Sequence, residues 1–169
     1  MKSFKSIVAV LMFALPGLLL FCGPAAANET KYSDTISQVI VQATNAQSLA
    51  NQASTFTKIT FATEIADTRS EFATNKFTAK SAGLYYVGAN ASFTASDNGT
   101  RSIAIYKNGA ATEIAETVPS RASAPAIKIS ISGIVKLAAT DYLELFARQN
   151  SGGAITMDNS TELYITRIH

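Results

Sequence analysis

The sequence predicts an all-β fold, a sandwich or jelly roll. Three observations carry this: apolar side chains alternate with polar ones in several segments, Asn, Asp and Gly turn signals separate those segments, and the helix formers Leu, Glu and Lys are scarce after residue 27. The clearest segment is Ile127–Leu137, where Ile127, Ile129, Ile131, Val135 and Leu137 alternate with polar or small residues. An extended chain with that pattern has one apolar face and one wet face. Gly133 interrupts the series and predicts a kink or bulge.

Leu84–Phe93 repeats the alternation with Tyr85, Val87, Ala89, Ala91 and Phe93, and Thr57–Thr63 repeats it with Ile59 and Phe61. Ile103 with Ile105, Leu143 with Leu145, and Leu163 with Ile165 mark further strands, and Ile36–Ala43 an early one. Asn45–Ser54 reads as a loop, and Pro119–Pro125 as an irregular crossing loop. Turn signals stand at Ser96-Asp97-Asn98-Gly99, Lys107-Asn108-Gly109 and Asn150-Ser151-Gly152-Gly153. Asn-Gly pairs adopt positive φ at low cost, so tight hairpins are expected at Asn98-Gly99 and Asn108-Gly109. The sum is about eight to ten short strands and no long helix.

The N-terminus reads as a signal peptide, residues 1–27. Lys2 and Lys5 precede an apolar run from Ile7 to Phe21, and Ala25 and Ala27 supply the small residues that a signal peptidase requires before a cut after Ala27. A run of about 15 apolar residues falls short of the ~20 that span a bilayer. Cys22 raises the alternative of a lipoprotein, which the bulky Phe21 before it disfavours. Residues 28–35 then form a short tail, and residues 36–169 one domain, long enough to bury a core.

Both surplus lysines belong to the leader. Of the 14 Lys and Arg, Lys2 and Lys5 are removed with it, which leaves 12 against 12 Asp and Glu. A neutral chain with scattered Lys and Arg has no electrostatic footprint for nucleic acid or for an anionic membrane. Cys22 is the only cysteine and His169 the only histidine, so the exported part lacks Ser-His-Asp and Cys-His arrangements and the usual zinc ligands.

Carboxylates cluster at Glu64, Asp67 and Glu71 and at Glu113 and Glu116, but a solvated loop accounts for them more simply than a glycosidase pair. Asp97, Asp141 and Asp158 sit in turns and offer the hard oxygen ligands that calcium takes, without any calcium-specific spacing. Turn formation is the simpler role for all three. No catalytic residue and no ligand-binding residue is assigned from these patterns.

The stretch Asn75-Lys76-Phe77-Thr78-Ala79-Lys80-Ser81-Ala82-Gly83-Leu84-Tyr85-Tyr86-Val87 resembles the central signature of C1q-like domains of the C1q/TNF superfamily, in their bacterial form. In that signature Phe77 starts a strand, Gly83 allows a close turn, and Tyr85 and Val87 point inward. Gln47–Asn51 with Phe56–Phe61, Asp67–Phe72, Ile105-Tyr106-Lys107-Asn108-Gly109 and Leu137–Ala147 extend the resemblance over most of the domain. Two positions depart from it. Thr140 replaces a Gly before Asp141, which predicts a wider turn, and Lys80 stands where many members have Pro.

The resemblance implies a ten-stranded jelly roll that associates as a homotrimer and recognises proteins, carbohydrates or surfaces through its loops. Calcium occurs in some such domains and would make it the one candidate cofactor. Tyr86, Tyr106, Phe146 and Tyr164 fall on alternate strand positions, where a subunit interface would bury them. The expected function is an exported, non-catalytic binding or surface-assembly module. The alternative is a monomeric carbohydrate-binding lectin with Tyr side chains stacked on sugar rings.

Overall fold

The structure is a computed structural model that describes residues 37–43, 46–119 and 126–168. All of them belong to the compact unit Thr35–His169. The leader with Cys22 and Ala27, the tail, most of the Pro119–Pro125 loop and His169 lie outside the described residues.

Every regular element among the described residues is a strand. In chain order these are β1 (Gln38–Gln42), β2 (Gln47–Leu49), β3 (Thr57–Lys58), β4 (Thr63–Asp67), β5 (Phe72–Ala73), β6 (Lys76–Thr78) and β7 (Gly83–Thr94). There follow β8 (Thr100–Lys107), β9 (Ala110–Pro119), β10 (Ala126–Leu137), β11 (Tyr142–Gln149), β12 (Ile155–Met157) and β13 (Glu162–Arg167). The segments number thirteen because several are only two or three residues long.

They form two antiparallel sheets packed as a sandwich. In the first, β7 is central, with β10 along one side and β13 and β12 along the other; β1 and β4 continue beyond β13, and β2 beyond β12. The second runs β5-β6-β11-β8-β9, with β3 beside β11. Between them lies the core that the alternation predicts. Val39, Tyr85, Val87, Phe93, Ile129 and Ile165 point in from the first sheet, and Phe77, Ile103, Ile105, Leu143 and Leu145 from the second.

Five local expectations need correction. Asn45–Ser54 is not all loop, since Gln47–Leu49 forms β2 against β12. Thr57–Thr63 is not one strand: β3 pairs in the second sheet, and the chain then crosses to join β4 to the first. Side chains of other segments hold that crossing, as Thr60 N donates to Gln47 Oε1 (3.0 Å) and Phe61 N to Asn75 Oδ1 (2.7 Å). Asn98-Gly99 closes no hairpin, because β7 and β8 belong to different sheets. The buried Arg101 fastens this second crossing by donating from Nη1 to the carbonyls of Asn98 (3.1 Å) and Thr100 (3.0 Å).

Gly133 marks no bulge either. The β7–β10 register runs unbroken from Ala126 opposite Thr94 to Leu137 opposite Gly83. Gly133 is there for space, since a Cβ at this position would stand 2.8 Å from Ile114 Cδ1 of the opposite sheet. Gly83, expected in a close turn, begins β7 without a positive φ. Asn108-Gly109 does form the expected hairpin turn, with φ of 52° and 80° between the paired residues Lys107 and Ala110.

The two departures from the signature also resolve. The turn before Asp141 is not wider, because Asp141 N donates to Ala138 O (3.2 Å). Instead Thr140 takes the conformation a glycine would take, at φ 75°. A β-branched residue is strained there. Thr140→Gly is expected to raise the stability by about 1 kcal/mol in urea denaturation, once the greater freedom of glycine in the unfolded chain is set against the relieved strain. At Lys80, N donates to Glu71 Oε1 (2.8 Å), a bond that a proline could not make.

Candidate interaction surface

The outer face of the first sheet follows from strand alternation and register. In β7 the odd positions Tyr85 to Phe93 are buried, so Leu84, Tyr86, Gly88, Asn90 and Ser92 point outward. Pairing then sets their neighbours. Ile134 of β10 lies opposite Tyr86, and Thr166 of β13 lies opposite it on the other side. In the next row Ser132, Gly88, Tyr164 and Ile40 run side by side across β10, β7, β13 and β1. Beyond it come Ser130, Asn90, Glu162 and Gln42, and then Lys128 beside Ser92.

The face is therefore mainly apolar at one end, where the exposed Lys136 stands opposite Leu84 at its margin, and polar at the other. At the apolar end Ile134 is 62% exposed, Ile168 50%, Tyr86 40% and Leu84 37%, four of the five most exposed large hydrophobics among the described residues. Ile168 joins them because its N donates to Leu84 O (2.8 Å), which carries the β13–β7 ladder one step further. Single exposed apolar residues are ordinary, but a contiguous group on one sheet marks an interaction surface.

Tyr164 flattens this end. Its ring lies over Gly88, where an added Cβ would come within 2.1 Å of Cε2. It also packs against Tyr86, with centroids 6.2 Å apart and an angle of 30°. Burial, followed by the neighbouring Tyr86, pushes the Tyr164 phenol up from its usual pKa, so it stays neutral at physiological pH. At the polar end, Asn90, Ser92, Lys128, Ser130, Ser160 and Glu162 line a depression of about 380 Å³.

The four aromatics expected at one interface divide between two faces. Tyr106 and Phe146 lie outside the second sheet, 4.2 Å apart, and the chain's own Phe56 stands 5.9 Å from Tyr106. The Arg148 guanidinium covers Phe56 at 4.7 Å and donates to Ala53 O (3.0 Å). That cluster is capped from within the chain, whereas the face around Tyr86 and Tyr164 is open.

The three candidate calcium residues do not gather at one place. Asp97 is exposed in the crossing between β7 and β8, while Asp141 lies at the opposite end of the sandwich, beside the β8–β9 hairpin. Asp158 Oδ1 accepts from Ser160 N (2.9 Å) and Oγ (2.5 Å), as an Asx turn does. Among the described residues, no three or more His, Cys, Asp or Glu side chains gather where they would hold a metal.

Asp141 accepts from Asn108 Nδ2 (2.7 Å), Ala138 N (2.8 Å) and Lys107 Nζ (2.9 Å). These donors, the Asn108 amide first, hold its pKa down at about 2 against 3.8 for a free carboxyl. A depressed carboxyl contributes stability above its unfolded pKa and loses it as the pH falls through the folded one. The turn is therefore expected to loosen between about pH 4 and pH 2. An NMR titration of the Asn108 side-chain amide should show a midpoint near 2; a midpoint close to the free-carboxyl value would contradict this.

The remaining carboxylates serve the fold. Asp67 accepts from Glu71 N (2.9 Å) and Phe72 N (2.8 Å) and so closes the turn after β4. Glu71, expected in solvent, is only 3% exposed and takes bonds from Ser37 Oγ and Lys80 N. Glu64 is exposed on the edge strand β4, Glu116 is exposed on β9, and the Glu113 side chain lies outside the described residues.

No family model and no curated protein matches this chain. Among solved structures, the globular domain of zebrafish complement 1qA protein is similar, at 16% identity with a TM-score of 0.52. The match covers 79% of this chain and 98% of that domain. The fold is C1q-like. At that identity the likeness concerns the path of the chain, and it agrees with the sandwich that the sequence signature implies. No helix among the described residues is long and apolar enough to cross a membrane.

Sequence reading missed Ile134, Leu84 and Ile168. The signal was present: Leu84 and Tyr86 in β7 and Ile134 in β10 are apolar residues on the wet phase of otherwise alternating strands. Such residues carry no weight for the core, and only register sets Ile134 beside Tyr86.

Proposed function

We propose that this chain is an exported, non-catalytic binding or surface-assembly module, cleaved after Ala27 and working as a homotrimer closed through the outer face of the first sheet. The observation that supports this is the open apolar group Leu84, Tyr86, Ile134 and Ile168 on one sheet face, flanked by the Tyr86–Tyr164 pair. Exposed apolar surface of that kind is stabilised when a second copy covers it. A C1q-like fold with no cysteine after Cys22 has no disulfide with which to strengthen itself, which gives burial between subunits more weight. Assembly on this face leaves the loops at the sandwich ends, among them 96–99 and 150–153, to meet a ligand.

Sedimentation equilibrium of residues 28–169 tests it. The expected mass at micromolar concentration is that of three chains. A stable monomer would contradict it, and a monomer that binds one sugar on a glycan array would favour the lectin alternative.

A further inference from the structure

The polar end of the same face carries a feature that burial alone does not explain. Lys128 and Glu162 both line the depression there, on opposite sides of β7. They stand two strand spacings apart, about 10 Å across the sheet. The ion pairs among the described residues are Lys58–Glu144 and Lys107–Asp141, and neither Lys128 nor Glu162 takes part in one. Lys128 is exposed; the Asp158 carboxyl, raised by burial, is lowered on balance by its hydrogen bonds with Ser160 and Ser92 and least by the Lys128 charge. Glu162 is half-buried beside Tyr164.

We propose that, in the assembly, Lys128 of one copy pairs with Glu162 of the next. This rests on the trimeric reading above and deepens it by assigning the polar end of the interface. Covering this face takes both charges out of water, at a cost of several kcal/mol per ion unless each finds an opposite charge. A cyclic interface brings one side of the face against the other side of a neighbour, so a lysine towards β10 meets a glutamate towards β13. The depression between them has room for the neighbour's side chain, and its Asn90 amide and Ser130 hydroxyl offer further hydrogen bonds. The apolar end then supplies affinity, and the pair sets the register in which copies meet.

Charge reversal tests the pair. Lys128→Glu and Glu162→Lys should each raise the dissociation midpoint in sedimentation about tenfold or more, while the combined exchange should bring it back to within roughly threefold of the original chain. Circular dichroism of each variant checks the fold. If a reversed variant does not fold, Lys128→Gln and Glu162→Gln replace it, and each should flatten the salt dependence of assembly. Single reversals that assemble as the original chain does would overturn the pair, and so would a combined exchange no better than either single one. Ile134→Asp separates the two levels: if that change leaves the trimer intact, the face itself is wrong, whatever the charges do.

Discussion

Ile134→Asp is expected to turn the proposed trimer into folded monomers. Ile134 is 62% exposed and lies opposite Tyr86 on the outer face of the first sheet, so its side chain contributes little to the core of a single chain. In the assembly it would be covered. A carboxylate at that place would be taken out of water beside Tyr86, with only the exposed Lys136 two residues along β10 to offset it, which costs several kcal/mol at each contact. The dissociation constant should rise about a hundredfold or more. Light scattering at micromolar concentration reads the mass, and circular dichroism shows whether the strands remain. Loss of mass together with loss of the β signal would mean that Ile134 supports the fold instead.

Phe77→Ala is the complementary change, with its effect on the fold. Phe77 is fully buried in β6, and its ring meets Tyr85 of β7 edge to face, with centroids 5.6 Å apart and an angle of 63°. The contact joins the two sheets. Truncation should cost about 3–5 kcal/mol from lost transfer energy and the cavity left behind. For a domain whose whole stability lies in the range of about 5–15 kcal/mol, that is a large share. Urea denaturation at fixed protein concentration measures it, since assembly would make stability depend on concentration. A loss below about 1 kcal/mol would mean that the site collapses around the gap and that the ring pair is not what joins the sheets.

The inner faces were legible in the sequence because burial imposes a period. Alternation points Tyr85, Val87, Phe93, Ile127, Ile129 and Leu145 inward, and all are buried. The Asn108-Gly109 turn was legible for a similar reason, since its positive φ values restrict the residue types. Pairing between sheets was not. Whether a turn closes a hairpin or crosses the sandwich depends on distant partners, and Asn98-Gly99 carries the same local signal as Asn108-Gly109 while doing the other job.

Arg101 shows the same limit at one residue. Its place on the inward phase of β8 reads as an error in the pattern until the carbonyls of Asn98 and Thr100 are found around it. Burial lowers its pKa, so these acceptors offset part of the cost of a buried cation. The apolar outer face is half legible: alternation places Tyr86, Tyr164, Tyr106 and Phe146 outside, but it does not tell one sheet's outside from the other's.

The location of the subunit contact is best tested by distance. The only cysteine of the chain is Cys22, so residues 28–169 accept a single engineered cysteine without background. Ser132, exposed at mid-length of β10 on the outer face of the first sheet, is one labelling site, and Thr117, exposed on β9 of the second sheet, is the other. Dipolar coupling between nitroxide labels at Ser132 should give a short inter-chain distance, and labels at Thr117 a long one. A short distance at Thr117 with none at Ser132 would contradict assembly through the first sheet.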